Sequence, residues 1–230
     1  MRLSDPFVRR VLKPAVFLAA LAPGIYLTWA AFTDHLSANP LSEYRNETGV
    51  WTLRYLCLTL AITPLRRLTG WNAAIKFRRM LGLFAFFYGS LHFVSYVIFD
   101  RLAGLVDFPD GIVSWTTVRN LAASTLDDIY KRPYITVGTG AFVAMVPLAL
   151  TSTSGMIRRL GGRRWQALHR LIYVSAICGV VHYLWLVKAD ITRPLTYGAI
   201  VGVLLIVRAF WLRASPQRST RSPLSPQRSS

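Results

Sequence analysis

Acidic side chains are scarce in this chain: 10 Asp and Glu stand against 27 Lys and Arg among 230 residues, giving a formal net charge of +17. Charge of either sign is thin, at 16% of residues, where soluble domains carry about 25%. That excludes an ordinary soluble surface. With 53% hydrophobic residues and a mean hydropathy of +0.38, the composition points to the bilayer. Cysteine is nearly absent. The 2 present, Cys57 and Cys178, lie inside apolar runs and fit neither a disulfide framework nor a zinc site; they read as small buried hydrophobes. A nucleotide-binding glycine motif is missing too. The glycine cluster "VGTGAF" at 137–142 lies in an apolar run, without the strand, loop and helix that a dinucleotide site needs.

What is present is long apolar runs. A crossing helix takes about 20 mostly apolar residues, and six stretches qualify: 15–32, 48–65, 81–99, 134–151, 166–187 and 195–213. The second is the weakest, because Arg54 lies within it. The first is longer than a usual signal-peptide core and lacks a clean cleavage motif, so it reads as a helix. The predicted fold class is all-α, a six-transmembrane helical bundle over residues 1–213. The tail 214–230, "ASPQRSTRSPLSPQRSS", is rich in Ser, Pro and Arg and is predicted to be disordered and cytoplasmic.

The charges segregate along this pattern. Arg2, Arg9, Arg10 and Lys13 precede the first span; Arg66, Arg67, Lys76, Arg78 and Arg79 join the second to the third; Arg158, Arg159, Arg163 and Arg164 join the fourth to the fifth; Arg208, Arg213, Arg218, Arg221 and Arg228 end or follow the sixth. With six spans, all four groups share one side, which the positive-inside rule makes cytoplasmic, together with both termini. Asp34, Glu43, Glu47, Asp100, Asp107, Asp110, Asp127, Asp128 and Asp190 fall on the other side. The excess of positive charge is thus mostly a topology signal, which argues against a nucleic-acid partner. The acidic loop 100–133, with "VDFPDG" and "STLDDIYKRPY", is either a landing surface for an extracytoplasmic partner or a solvated loop, with room for a short interfacial helix.

Of the 4 histidines, His35 lies in an exterior loop, while His92, His169 and His182 lie within the third and fifth spans. Ionisable groups in a span are costly and mark function by default. At 1.5 Å per residue, His92 lies roughly 20 Å beyond Arg79, His182 roughly 27 Å beyond Arg164, and His169 only roughly 8 Å beyond Arg164. His92 and His182 therefore share the outer half at similar depth, and His169 stays near the cytoplasmic face. Neutral imidazole ligates haem iron, and two imidazoles on facing helices would clamp a porphyrin edge-on. Phe84, Phe86, Phe87, Tyr88, Phe93 and Tyr96 offer an apolar slot, and Gly89, Ser90 and Gly179 leave room. Arg54 is at a depth suited to a haem propionate. The bland alternatives are interhelical hydrogen bonds for the histidines, lipid contact for the aromatics and outward snorkelling for Arg54.

On one continuous helix, thirteen residues would set His169 and His182 about 140° apart and roughly 20 Å apart in height. The height suits two stacked haems; the angle does not suit one face. A second haem would also need a ligand near residues 78 and 79, which are arginines. One haem held by His92 and His182 is the simpler reading. His169 is left as an alternative ligand, the lone ligand of a second haem, or part of a flavin or quinone site.

The stretches "RRMLGLFAFFYGSLHFVSYV" around His92, "KRPYITVGTGAFVAMVPLALTSTSGMIRRLGGRRWQALHRLIYV" through His169 and "VHYLWLVKAD" after His182 resemble the ferric-reductase-like transmembrane family. Within it they are most similar to the haem-binding membrane subunits of bacterial methionine sulfoxide reductase systems. The resemblance covers nearly all of residues 10–213. It implies a multi-pass inner-membrane electron-transport protein with b-type haem and FMN, whose haem-ligand histidines map onto His92, His169 and His182. It also implies a partner, the periplasmic molybdenum-cofactor reductase MsrP, which repairs oxidised methionine in envelope proteins. Larger relatives carry a cytoplasmic flavin and NADPH domain; this chain does not, so the donor is the quinone pool or a cytoplasmic flavin reductase. Arg78, Arg79 and Arg164 are candidates for an FMN phosphate or a donor's docking surface, or are plain topology determinants. Two other functions stay open: direct reduction of external ferric or cupric ions, and a cofactor-free transporter or scaffold.

Overall fold

The computed structural model describes residues 5–33, 35–102 and 115–214, and every regular element among them is helical. The exterior "VDFPDG" segment and the tail beyond residue 214 lie outside the described residues. Nine helices are named here: α1 (Lys13–Phe32), α2 (Pro40–Thr69), α3 (Ile75–Ser95), α4 (Trp115–Lys131), α5 (Pro133–Leu150), α6 (Ser154–Leu160), α7 (Gly162–Leu168), α8 (Leu171–Leu186) and α9 (Thr192–Ala214). A short lead-in, Asp5–Leu12, feeds α1, and α3 runs on into a wider π-helical segment, Tyr96–Leu102.

Five stretches are long and apolar enough to cross a membrane: Val8–Phe32, Asn72–Asp100, Pro133–Leu150, Gly162–Leu186 and Thr192–Trp211. The sixth expected span, 48–65, lies inside α2, whose 30 residues run about 45 Å, more than the roughly 30 Å of a hydrocarbon core. Its apolarity is diluted by Glu43, Arg45, Glu47, Arg54, Arg66 and Arg67. Length qualifies α2 as a span, while composition does not.

The helices pair by sequence proximity. A left-handed Gly70 (φ 67°) closes α2, a position where a side chain would be strained, and α3 folds back along it. The second hairpin pairs α5 with α8, and it crosses the first through α3 against α5 and α2 against α8. Outside this four-helix core, α1 lies on α2 and α3, α9 lies on α2 and α8, and α4 lies across the start of α5 and the π segment. The inner layer is aromatic and aliphatic: Leu53, Tyr55, Leu56, Leu60, Phe77, Phe84 and Tyr88 are all buried. Cys57 is buried there as a free thiol, and Cys178 is a half-buried one.

Tyr88 does more than fill space. Pro23 lies inside α1 and lacks an N–H, so one intrahelical bond is open there. At that opening the Tyr88 hydroxyl accepts from the Gly24 N–H at 2.8 Å and donates to the Ala20 carbonyl at 2.9 Å. The Tyr55 hydroxyl donates to the same carbonyl at 3.0 Å. Backbone groups that water would satisfy in solution are satisfied here by side chains from the neighbouring hairpin.

Candidate functional site

The four-helix core splays at the end that carries the acids, enclosing a cavity of about 760 Å³. That lies within the roughly 300–1,000 Å³ typical of ligand pockets. His92 projects into it from α3 and His182 from α8. Their ring centroids are 6.0 Å apart and the planes meet at 74°.

Both rings are held in the same way. His92 Nδ1 lies 2.8 Å from the Arg45 carbonyl, and His182 Nδ1 lies 2.7 Å from the Tyr134 carbonyl. A carbonyl only accepts, so Nδ1 carries the proton in each and Nε2 keeps its lone pair. This is the arrangement in which an outer partner orients a metal-bound histidine. One metal atom about 2 Å from each Nε2 would set the two ring centroids roughly 6 Å apart, so the observed separation admits a single shared ion. The walls suit a broad apolar ligand: Leu53, Leu56, Phe93, Ala141, Phe142 and Met145 line them. Ser175, wholly buried and also lining the cavity, has a hydroxyl with no hydrogen-bond partner.

The expected aromatic slot is only partly here. Phe93 and Tyr96 line the cavity, and Phe93 stacks on Phe142 at 5.1 Å. Phe86 meets Phe142 from the other side at 5.6 Å. Phe84 and Tyr88 instead pack against Tyr55 in the layer beneath α1, and Phe87 lies edge-on to both. Gly89 and Gly179 do line the cavity, and Ser90 bonds to the Phe86 carbonyl on its own helix.

Arg54 stays outside. Its guanidinium lies 4.3 Å over the Trp51 ring, its Nε donates to the Tyr197 hydroxyl at 3.2 Å, and Glu47 is 4.0 Å away. The cations at the cavity mouth are Arg45, Arg132 and Arg193, none of which depth alone singles out. Arg45 pairs with Asp100. Arg132 reaches Asp128 at 3.4 Å and the Tyr134 hydroxyl at 3.4 Å, and these partners hold its guanidinium pKa above the ordinary value. Asp128 is the acid buried in this region; it also accepts from the Tyr96 hydroxyl at 2.9 Å, so α4 is fastened to the π segment and the start of α5.

His169 stands apart from the pair. The helix is interrupted at His169 and Arg170, between α7 and α8, so an angle calculated along one continuous helix does not apply. The ring stacks on Trp165 at 3.9 Å and its Nε2 lies 3.2 Å from the Thr151 hydroxyl. That hydroxyl donates its one proton to the Pro147 carbonyl at 2.6 Å, so it accepts from His169 Nε2–H. Trp165 Nε1–H completes the cluster by donating to the Thr151 carbonyl at 2.9 Å. Arg78 acts electrostatically on His169 and, with Arg67 and Arg170, on Arg208. Arg208 lies 4.9 Å over Tyr173, and its Nε is buried with no partner. Arg79 and Arg164 are exposed at this basic end.

The class of protein follows from comparison with known families: residues 48–180 match the model of the ferric reductase like transmembrane component. More particular relatives are three proteins named protein-methionine-sulfoxide reductase heme-binding subunit MsrQ. That of Herminiimonas arsenicoxydans is 48% identical, over 94% of this chain and 91% of its own length. That of Ralstonia nicotianae is 49% identical, over 88% and 87%, and that of Azospira oryzae 43%, over 94% and 87%. The chain belongs to the ferric-reductase-like transmembrane family and, within it, to the MsrQ family.

Proposed function

We propose that this chain is a haem-binding membrane subunit that carries electrons for a methionine-sulfoxide reductase system, with His92 and His182 as the residues that would hold the iron of a b-type haem. The observation that carries the reading is the opposed imidazole pair, each with Nδ1 committed to a helix carbonyl and Nε2 left for a metal. A haem bound there supplies one-electron chemistry. The protein's own part is to hold both imidazoles in the ligating tautomer and to exclude water with Leu53, Leu56 and Phe142. Arg45, Arg132 and Arg193 offer positive charge at the mouth, where propionates need it. Cavity and ion pairs share the acidic end, which suits delivery to a periplasmic acceptor. In this reading that acceptor is the molybdenum-cofactor reductase MsrP, and the chain sits in a bacterial inner membrane with six spans and both termini cytoplasmic.

Electrons enter from quinol or from a cytoplasmic flavin reductase at the basic end. FMN would be held at that end, where Arg78, Arg79 and Arg164 offer charge for a phosphate. His169 serves this end, packing Trp165 and Thr151 together, rather than serving as an iron ligand.

The deciding experiment is an absorption spectrum of the purified chain. A Soret band with a sharp reduced α-band is expected, lost in His92→Ala and His182→Ala and kept in His169→Ala. A colourless wild-type protein would leave only the transporter or scaffold reading. Equal loss in all three variants would overturn the ligand assignment. Deleting the chain separates the remaining rival: loss of sulfoxide repair with external iron and copper reduction unchanged excludes a direct metal reductase.

A further inference from the structure

The two imidazoles lean on two glycines that the sequence pattern does not mark. The carbonyl receiving His92 belongs to Arg45, and Gly49 lies four residues on; the carbonyl receiving His182 belongs to Tyr134, and Gly138 lies four residues on. Four residues make one helical turn, so each glycine stands directly beside the acceptor of its histidine. A Cβ on Gly49 would come 3.0 Å from His92 Nδ1 and 3.1 Å from Cε1. A Cβ on Gly138 would come 2.5 Å from His182 Nδ1 and 2.9 Å from Cε1 and Cγ. The second approach is closer than any real Cβ contact, so at that position the ring or the helix must move. The same device thus occurs on α2 for α3's histidine and on α5 for α8's histidine.

We infer that Gly49 and Gly138 are positioning residues: each opens a seat one turn beyond a helix carbonyl, and the seat sets the imidazole's rotation and its Nδ1–H bond. This inference rests on the haem reading of His92 and His182. Neither glycine would touch the iron; each acts through its histidine. The seats are unequal. Gly138 admits no added carbon, whereas at Gly49 a shift of a few tenths of an ångström suffices, so the His182 side is the more tightly specified.

Gly140 supplies the control, since it lies on the same helix as Gly138 and a Cβ there would meet nothing within 4 Å. Gly138→Ala, Gly49→Ala and Gly140→Ala are purified in detergent. The readouts are haem-to-protein ratio, reduced α-band position, low-spin electron paramagnetic resonance signals and midpoint potential. Gly138→Ala is expected to weaken haem retention by about 10–100-fold, the usual loss when a metal ligand's outer partner is removed. The haem it retains should have altered low-spin signals and a shifted potential. Gly49→Ala should retain haem but show the same signals displaced to a smaller degree. Gly140→Ala should match wild type in every readout. Far-ultraviolet circular dichroism separates loss of the seat from loss of the fold. If a folded Gly138→Ala binds haem with wild-type spectra and potential, or if Gly140→Ala perturbs them as much, the seats are overturned while the ligand assignment stands. If wild type itself lacks the Soret band, the haem reading has failed, and the seats with it.

Discussion

Thr151 has a single hydroxyl proton, and that proton goes to Pro147. The choice fixes what His169 does, because Nε2 must then be the donor in their contact. Thr151→Val removes the acceptor from a half-buried imidazole. An unpaired polar group of this kind costs about 1–3 kcal/mol, seen as a lower unfolding temperature in detergent, while the haem spectrum stays that of wild type. A lost α-band in this variant would instead tie His169 to the iron. Outside the spans, the Glu43 carboxylate accepts from the Ser37 N–H at 2.6 Å. That bond holds its pKa below the ordinary 4.5. A depressed carboxylate contributes fully above its unfolded value, and the contribution fades as pH falls through the folded value. Protection of the Ser37 amide from hydrogen exchange should therefore be constant from neutral pH down to about 5, weaken in more acid solution, lose its pH dependence in Glu43→Gln, whose amide oxygen still accepts, and be absent in Glu43→Ala.

At the scale of helices, α4 is the element whose attachment depends on few groups. Tyr96 and Arg132 grip Asp128 from α3's extension and the start of α5, while Trp115, Leu126 and Tyr130 stay exposed. Hydrogen bonds to a charged group are worth about 1.5–3 kcal/mol, so Asp128→Ala should release α4. Limited proteolysis within 115–131 should accelerate while the rest of the chain stays intact. Helix-level features differ in how legible they are in sequence. Depth is legible: counting from Arg79 and Arg164 sets His92 and His182 level, and in the structure their rings meet. Direction around the helix is not. Arg54 has a fitting depth but turns toward Trp51 and Tyr197, whereas Arg45, one turn before Gly49, faces the cavity. The break at His169 and Arg170 carries no proline or glycine, so nothing local announces it. The repeated spacing Arg45–Gly49 and Tyr134–Gly138 is visible in the sequence, yet it acquires meaning only once the opposing histidine is in place.

For the molecule as a whole, the charge asymmetry makes a topological prediction. The ion pairs Arg45–Asp100, Arg54–Glu47, Lys131–Asp127 and Arg132–Asp128 all lie toward one end, and Arg66, Arg67, Arg78, Arg79, Arg158 and Arg159 lie toward the other. If α2 crosses the membrane despite its polar residues, alkaline phosphatase fused after residue 110 should be active. A green fluorescent protein fused after residue 214 should fluoresce. Three spans separate the two fusion points in either case, so five spans with the N-terminus cytoplasmic would reverse both results. The opening at Pro23 has a separate consequence for biogenesis. A first helix released into lipid ahead of the rest would lack the tyrosine hydroxyls that bond its Gly24 N–H and Ala20 carbonyl, in a medium without water. Tyr88 and Tyr55 bring those hydroxyls from the following hairpin. Holding the N-terminal helix at the translocon until that hairpin is made would bring Tyr88, 64 positions after Gly24, to it before it meets lipid.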